Sequence, residues 1–179
     1  SLLDELGVRD RVLIATKGGH VRTDGGGWDV DGSAAHLRAA VDESLRRLGV
    51  EQIALYQHHR PDPGVDYAET LGALKEIHDA GKVAMVGLSN ADPAQIRQAH
   101  DLLGDALVSV QNQFSPAFRS SLPEIELCDE LGLAFLPWSP LGGLGSAKGL
   151  SDDHPAFAEV AAEHGVSAQR VALASVSYT

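Results

Sequence analysis

The sequence has little of several features that mark particular classes of protein. It contains one cysteine, Cys128, which excludes a disulfide framework; its helical-looking surroundings at 122–131 predict a small buried side chain. No apolar run approaches the roughly 20 residues that a membrane-spanning helix needs. The first seven residues resemble a helix end rather than a signal peptide. These absences predict a cytoplasmic protein that does not associate with a membrane.

Basic residues are also scarce. The chain has 14 Lys and Arg against 25 Asp and Glu, for a net charge of −11, and the basic residues are dispersed among acids. Nucleic-acid binding is therefore not expected. The histidines offer no metal-ligand spacing, since His58 and His59 are adjacent and His154 and His164 are far apart in the chain. We expect no metal site.

What the chain does have is a strict alternation of strand-like and helix-like segments. The clearest helical pattern covers Ala34–Leu48, with Ser33 as N-cap and Gly49 as C-terminal stop. With 44% apolar residues for a core, the alternation predicts an α/β fold around a parallel sheet in one domain. The predicted strands cover residues 12–17, 53–59, 83–90, 106–113 and 133–139.

Loop and helix-end signals lie between these segments. Asp66 precedes a helix that ends near Gly81, and Asp92-Pro93 begins the next one. The run Asp24-Gly-Gly-Gly27 lacks the G-x-G-x-x-G spacing of a dinucleotide fingerprint, and we interpret it as a flexible loop. Because it follows a strand, it is expected on the functional face and in the wall of a pocket.

Polar side chains stand where the predicted strands end. Lys17 follows the first strand, Ser89-Asn90 the third and Gln111 the fourth, and Trp138 leads into a glycine-rich turn after the fifth. In an α/β sheet such positions carry the chemistry. Each has a simpler alternative: a lysine can mark the exit of a strand into solvent, and a lone Trp is more often part of the core.

The second strand ends in two adjacent histidines, only one of which can face a given cavity. Alternation places His59 on the face of Gln57 and Leu55, and His58 on the face of Tyr56. The simpler alternative is that both are loop-edge side chains bonded to backbone.

Taken in order, the motifs resemble the aldo-keto reductases along residues 8 to about 174. They are Ile14-Ala-Thr-Lys-Gly18, Leu55-Tyr-Gln-His-His-Arg60, Gly87-Leu-Ser-Asn90, Val110-Gln-Asn-Gln113 and Trp138-Ser-Pro-Leu-Gly142. The resemblance implies a (β/α)8 TIM barrel, represented here by roughly strands 3 to 7 and their helices. It also implies hydride transfer from NADPH, or NADH, to the carbonyl carbon of a small aldehyde or ketone.

The resemblance also implies roles for individual residues. Lys17 corresponds to the lysine that lowers the pKa of the catalytic tyrosine, and His59 to the histidine that orients the carbonyl. Ser89, Asn90 and Gln111 correspond to residues that hold the nicotinamide carboxamide. Trp138 corresponds to the aromatic residue that stacks on the nicotinamide. The residues that follow the pyrophosphate are Ser139, Leu141, Gly142 and Gly143.

The chain departs from the family in one respect that concerns catalysis. The family's aspartate and tyrosine precede the lysine strand and have no counterpart here, since Tyr56, Tyr67 and Tyr178 fall at other positions. We therefore expect one aldo-keto reductase domain, 1–179, incomplete at both ends and inactive by itself. Two alternatives stay open: a nicotinamide-binding or regulatory subunit of the same fold without turnover, and a Schiff-base enzyme using Lys17.

Overall fold

The computed structural model describes residues 2–143 and 145–176. The chain divides into two compact units, 1–109 and 110–179. The strands are β1 (Ala15–Gly18), β2 (His20–Arg22), β3 (Trp28–Val30), β4 (Ile53–His58), β5 (Val83–Ser89), β6 (Leu107–Gln111) and β7 (Ala134–Phe135). The helices are α1 (Leu2–Glu5), α2 (Ala34–Leu48), α3 (Tyr67–Asp79), α4 (Pro93–Leu103), α5 (Leu122–Leu131), α6 (Leu150–Asp153), α7 (Pro155–His164) and α8 (Ala168–Ser175).

The first unit is built on parallel strands in the order β1, β4, β5. Lys17 lies beside Gln57, and Gln57 beside Gly87, so these positions point to one face of the sheet. Gly18, His58 and Leu88 form the next row and point to the other face. The register thus fixes which strand-end residues can meet.

Helices α2, α3 and α4 supply the apolar side chains of this unit's core. Their fully buried residues include Leu37, Leu74 and Ile96, and the strands contribute Ile53 and Val86. Each helix begins at a capping side chain, as the sequence predicts: Ser33 accepts from the His36 amide, Asp66 from Ala68, and Asp92 from Gln95. Asp92 and Gln95 also form a reciprocal capping box.

The second unit contains α5 to α8 and two apolar clusters. Phe114, Ile125 and Val176 form one cluster, and Leu150 packs with alanines of α7 and α8 in the other. Cys128 of α5 is buried, and burial, with the nearby Glu124, raises the pKa of its thiol to about 11. The prediction of a small buried side chain at Cys128 is confirmed.

The predicted strands extend beyond the observed ones, and the first and last of them need correction. β1 begins at Ala15 rather than at residue 12, and Val12 and Leu13 are 45% and 75% exposed, so the apolar run is only partly a buried strand. The predicted strand 133–139 is reduced to the two residues of β7. Pro137 has no amide hydrogen to donate. Beyond β7 the pairing continues as separate bonds, from the Leu136 amide to Val110, from the Trp138 amide to Asn112, and from the Phe114 amide to the Trp138 carbonyl.

The glycine-rich segment Asp24–Gly27 forms the turn of a hairpin whose two flanking strands were not predicted. β2 and β3 form an antiparallel hairpin, with His20 paired to Val30 and Arg22 to Trp28. The Thr23 amide donates to the Gly27 carbonyl and closes the turn. Val21, Trp28 and Val30 favour strands, and a turn rich in glycine between such residues is a hairpin signal that the sequence analysis passed over.

No helix among the described residues is long and apolar enough to cross a membrane. Within the same residues, no group of three or more His, Cys, Asp or Glu side chains is arranged to hold a metal ion.

Candidate active site

The ends of β1, β4 and β5 bring four of the predicted site residues together in the first unit. Lys17, His59 and Ser89 follow the alternation that runs through Gln57 and Gly87, which places them on one face of the sheet. Asn90 comes directly after Ser89, and its Nδ2 lies 3.0 Å from the backbone oxygen of His59. The sheet thus gathers an ammonium group, an imidazole, a hydroxyl and an amide.

Glycines allow the chain to pass closely over the opposite face. A Cβ at Gly18 would lie 1.9 Å from the Tyr56 hydroxyl oxygen, and a Cβ at Gly19 would lie 3.0 Å from His58. Gly19 also has a φ of +99°, which side chains other than hydrogen rarely allow. The two glycines therefore let the chain turn immediately after Lys17 into the hairpin.

Hydrogen bonds tie the loops that follow these strands. Asp62 accepts from the Gly32 amide at 2.9 Å and from the Gly64 amide at 2.8 Å. Thr70 donates its hydroxyl to the Gly32 carbonyl at 2.8 Å, inside the protein. One carboxylate and one hydroxyl thereby join the end of the hairpin segment to the loop after His59 and to α3.

His59 is held at its backbone from two sides. Its amide donates to the Gly18 carbonyl at 2.9 Å, and its carbonyl accepts from Asn90. Its ring is stacked on that of His20, with centroids 3.8 Å apart and planes 21° from parallel. Both the position and the ring plane of His59 are therefore determined by neighbours.

The electrostatics of the site disfavour positive charge. Burial lowers the pKa of Lys17. Burial and then the positive charges of His20, Lys17 and Arg60 lower the pKa of His59 to about 4, so its imidazole is neutral at pH 7. A neutral imidazole can donate one N–H to an oxygen while its other nitrogen accepts.

The described tyrosines are placed away from this face. Tyr56 is fully buried beside Gly18 on the opposite face. Tyr67 is half-buried with its hydroxyl oxygen inside the protein, and its ring lies 6.0 Å from that of His58. Burial raises the pKa of both phenols well above the ordinary value, which makes them poor proton donors. Tyr178 lies outside the described residues.

The remaining predicted residues lie in the second unit. Gln111 ends β6, and Trp138 is tied to Asn112 and Phe114 by backbone hydrogen bonds. Ser139, Gly142 and Gly143 have positive φ angles of 51°, 81° and 101°, and the Gly142 amide donates to the Ser139 carbonyl at 2.9 Å. The segment is thus a tight turn whose backbone a ligand can approach closely.

A cavity of about 360 Å³ adjoins this turn. Gln113, Ser115 and Ser146 in its lining offer an amide and hydroxyls to a ligand. A Cβ at Gly142 would lie 3.1 Å from that of Ser146. The lining comes from Gln113, Ser115, Phe118, Leu141, Gly142 and Ser146 among others.

Sequence reasoning missed three residues of the first unit's site. His20 stacks on His59, and Gln57 and Ser109 carry buried polar atoms, Nε2 and Oγ, without a hydrogen-bond partner among the described residues. The two flank Gly87, since a Cβ there would lie 2.6 Å from Ser109 Oγ and 2.9 Å from Gln57 Cγ. Alternation along β4 was the available signal for Gln57, which lies beside Lys17. The position of Ser109 depends on its close approach to Gly87 of β5, which the sequence does not show.

The parallel strands alternating with helices define an α/β fold, and sequence comparison identifies the family. The profile described as "Aldo/keto reductase family" matches residues 2–177. The chain is 39% identical over 149 residues to "Probable aldo-keto reductase 1" of Glycine max, covering 82% of this chain and 42% of that protein. The chain belongs to the aldo/keto reductase family.

Solved structures of aldo-keto reductases are similar to this chain. An aldo/keto reductase from Klebsiella pneumoniae, in complex with NADP and acetate, has a TM-score of 0.75 at 25% identity over 96% of this chain and 58% of its own. The holo form of aldo-keto reductase AKR11C1 from Bacillus halodurans has a TM-score of 0.62 at 32% identity, covering 73% of this chain and 43% of its own. The predicted fold class, an α/β barrel of the aldo-keto reductase type represented by roughly strands 3 to 7, is confirmed.

Proposed function

We propose that this chain forms part of the site of an NAD(P)H-dependent reductase that converts an aldehyde or ketone to an alcohol. The observation that carries the proposal is the meeting of Lys17, His59, Ser89 and Asn90 at the ends of adjacent parallel strands. The family membership supports it. The chain spans less than half the length of the Glycine max relative, so the proposal concerns the protein in its full length.

The residues present fit a nicotinamide cofactor. Ser89 and Asn90 offer a hydroxyl and an amide to its carboxamide, and the buried, unpaired Gln57 Nε2 and Ser109 Oγ fit a face that receives a polar ligand. For the second unit, family membership supports a cofactor-binding role for Gln111 and Trp138. The turn of Ser139, Leu141, Gly142 and Gly143 would follow the pyrophosphate, its positive φ angles suiting a close backbone approach.

The cofactor, when bound, supplies a hydride to the carbonyl carbon. His59, neutral at pH 7, would donate an N–H to the carbonyl oxygen and so orient the substrate. Lys17 would supply positive charge that favours proton loss from a tyrosine. That tyrosine and the aspartate that pairs with Lys17 are taken to lie outside these 179 residues.

The test is NADPH oxidation by the full-length protein with a broad panel of aldehydes and ketones. The Lys17→Met and His59→Ala variants are expected to lose about 10²- to 10⁴-fold in kcat while still binding NADPH, measured by fluorescence. Lys75→Met is the matched control, because Lys75 is exposed and pairs with Asp79 on α3. Equal turnover in all four proteins would refute the roles assigned to Lys17 and His59.

The NADPH oxidation and binding assays, together with a borohydride trapping experiment, separate the proposal from its alternatives. NADPH binding without turnover of any carbonyl favours a nicotinamide-binding or regulatory subunit. Trapping of a carbonyl substrate on Lys17 by borohydride, without NADPH oxidation, favours the Schiff-base enzyme.

A further inference from the structure

The hairpin of β2 and β3 places a second imidazole against His59. His20 is the first residue of β2, and its ring is stacked on that of His59 with a centroid distance of 3.8 Å and planes 21° apart. The two rings come from separate segments of the chain, one before α2 and one after β4. Their contact therefore depends on the fold and is not a consequence of sequence neighbourhood.

The hairpin is held so that this stack is maintained. The Asp31 amide donates to the Gly19 carbonyl at 3.0 Å and closes the base of the hairpin beside His20. On the outer side, the Trp28 ring lies 6.0 Å from that of His20, and the Arg22 guanidinium lies 3.9 Å above the Trp28 ring. A continuous series of flat groups thus runs from the exposed Trp28 to His59.

The charges around the stack are mostly positive. His59 faces His20 from β2, Lys17 from β1 and Arg60 from its own segment. His20 also faces Arg60. The buried His58 faces His20, His59 and the carboxylate of Asp62. Protonation of either stacked ring is opposed by the other.

We propose that His20 is a positioning residue of the active site, whose ring fixes the plane of the His59 imidazole and so the direction in which His59 meets a substrate carbonyl. The inference rests on the proposed function, since it assigns His20 a role in the same reaction. Neither the motif resemblance nor the family match assigns a role to this position. His20 acts through His59 and requires no contact with substrate.

Two substitutions separate the flat ring from the ionisable group. His20→Phe keeps a ring that can stack but removes the charge, whereas His20→Ala removes both. In the full-length protein, we expect His20→Phe to keep kcat/KM at pH 7, and His20→Ala to lower it by about two- to tenfold, the range that one aromatic contact supplies. The loss should appear in KM for the carbonyl substrate and leave NADPH affinity unchanged.

The titration of the His59 ring, followed by NMR, provides a readout that is independent of turnover. Removal of the positive charge at position 20 in His20→Phe should raise the pKa of His59 from about 4 toward its ordinary value. His78→Phe is the control, because His78 lies at the end of α3 beside Asp79. It should change neither quantity.

Three results would overturn the inference: an unchanged His59 titration in His20→Phe, equal kcat/KM losses in the Phe and Ala variants, or full activity in His20→Ala. If the wild-type protein reduces no carbonyl, the proposed function fails instead. In that case the His59 titration alone decides whether His20 controls the imidazole.

Discussion

Asn90 donates a hydrogen bond from its side-chain Nδ2 to the backbone carbonyl of His59 at 3.0 Å. The same Nδ2 lies 3.1 Å from the Ser89 hydroxyl oxygen. Asn90 itself has a φ of 58°, in the left-handed region that Asn adopts more readily than most residues. A residue proposed to hold the nicotinamide carboxamide therefore also fixes the backbone of the proposed catalytic histidine.

Substitution of Asn90 should separate these contributions. Asn90→Gly loses the side-chain hydrogen bonds but still adopts the left-handed backbone easily. Asn90→Ala loses the same bonds and also disfavours that backbone, so the Asn90→Ala protein should be less stable than the Asn90→Gly protein by about 1 kcal/mol. Both variants lose at least one side-chain hydrogen bond, which contributes about 0.5–1.5 kcal/mol. We therefore expect kcat/KM to fall by at least about two- to tenfold in each. Thermal unfolding and steady-state kinetics measure the two effects. Wild-type kinetics in Asn90→Gly would contradict both roles.

The passage of Gly18 over Tyr56 predicts a strongly destabilising substitution. A Cβ in Gly18→Ala would lie 1.9 Å from the Tyr56 hydroxyl oxygen and 2.8 Å from the ring carbon that bears it, and Tyr56 is fully buried. Overpacking of this kind costs about 1–3 kcal/mol. Denaturant unfolding should show this loss.

Gly72→Ala is the matched control for Gly18→Ala. Gly72 lies within α3, and nothing within 4 Å would meet its added Cβ. The substitution should be neutral or stabilise the protein by about 0.4–1 kcal/mol. Equal free energies of unfolding in the two variants would show that the contact with Tyr56 is not restrictive.

His58 predicts an acid-dependent loss of stability. Burial, followed by the positive charges of His59 and His20, lowers its pKa from 6.5 to about 4 in the folded protein, although Asp62 acts in the opposite direction. The unfolded chain therefore binds more protons between these values, so stability is complete above pH 6.5 and falls as the pH decreases toward 4. The loss from this one group is on the order of 3 kcal/mol.

Denaturant unfolding at several pH values measures this dependence. His58→Phe should show a shallower loss of stability between pH 6.5 and 4 than the wild type, whatever its stability at pH 7. His164→Gln, at the end of α7, is the control and should keep the wild-type slope. A slope unaffected by His58→Phe would place the acid-sensitive group elsewhere.

The helices could be predicted well because their ends are determined by local chemistry. Ser33 and Gly49 bound α2 as expected, since a cap and a left-handed glycine act on the backbone within a few residues. Strand ends depend on pairing with distant segments. Val12 and Leu13 have the composition of a strand but are exposed, because ladder pairing begins only at Ile14, whose carbonyl accepts from the Leu55 amide.

The candidate site was predictable only where one strand fixes the direction of its own side chains. The motif resemblance assigned the catalytic role to His59 rather than His58, and alternation, which puts His59 on the face of Gln57, agreed with it. The register adds that Gln57 lies beside Lys17. The stack of His20 on His59 could not be predicted. It requires the hairpin, and the hairpin depends on β2–β3 pairing and on the Asp31–Gly19 bond.

The glycine turn after Trp138 predicts a specific effect on cofactor binding. Gly142 has a φ of 81°, and a Cβ there would lie 3.1 Å from that of Ser146 at the wall of the cavity. In the full-length protein, Gly142→Ala should therefore raise the Kd for NADPH by about tenfold, which is equivalent to about 1.4 kcal/mol. The loss comes from backbone strain at the positive φ and from a less close approach of the backbone to the cofactor. Gly145→Ala is the control, because its Cβ would meet nothing within 4 Å and its φ is not positive. Fluorescence titration with NADPH measures both, and equal Kd values would exclude this turn from the cofactor site.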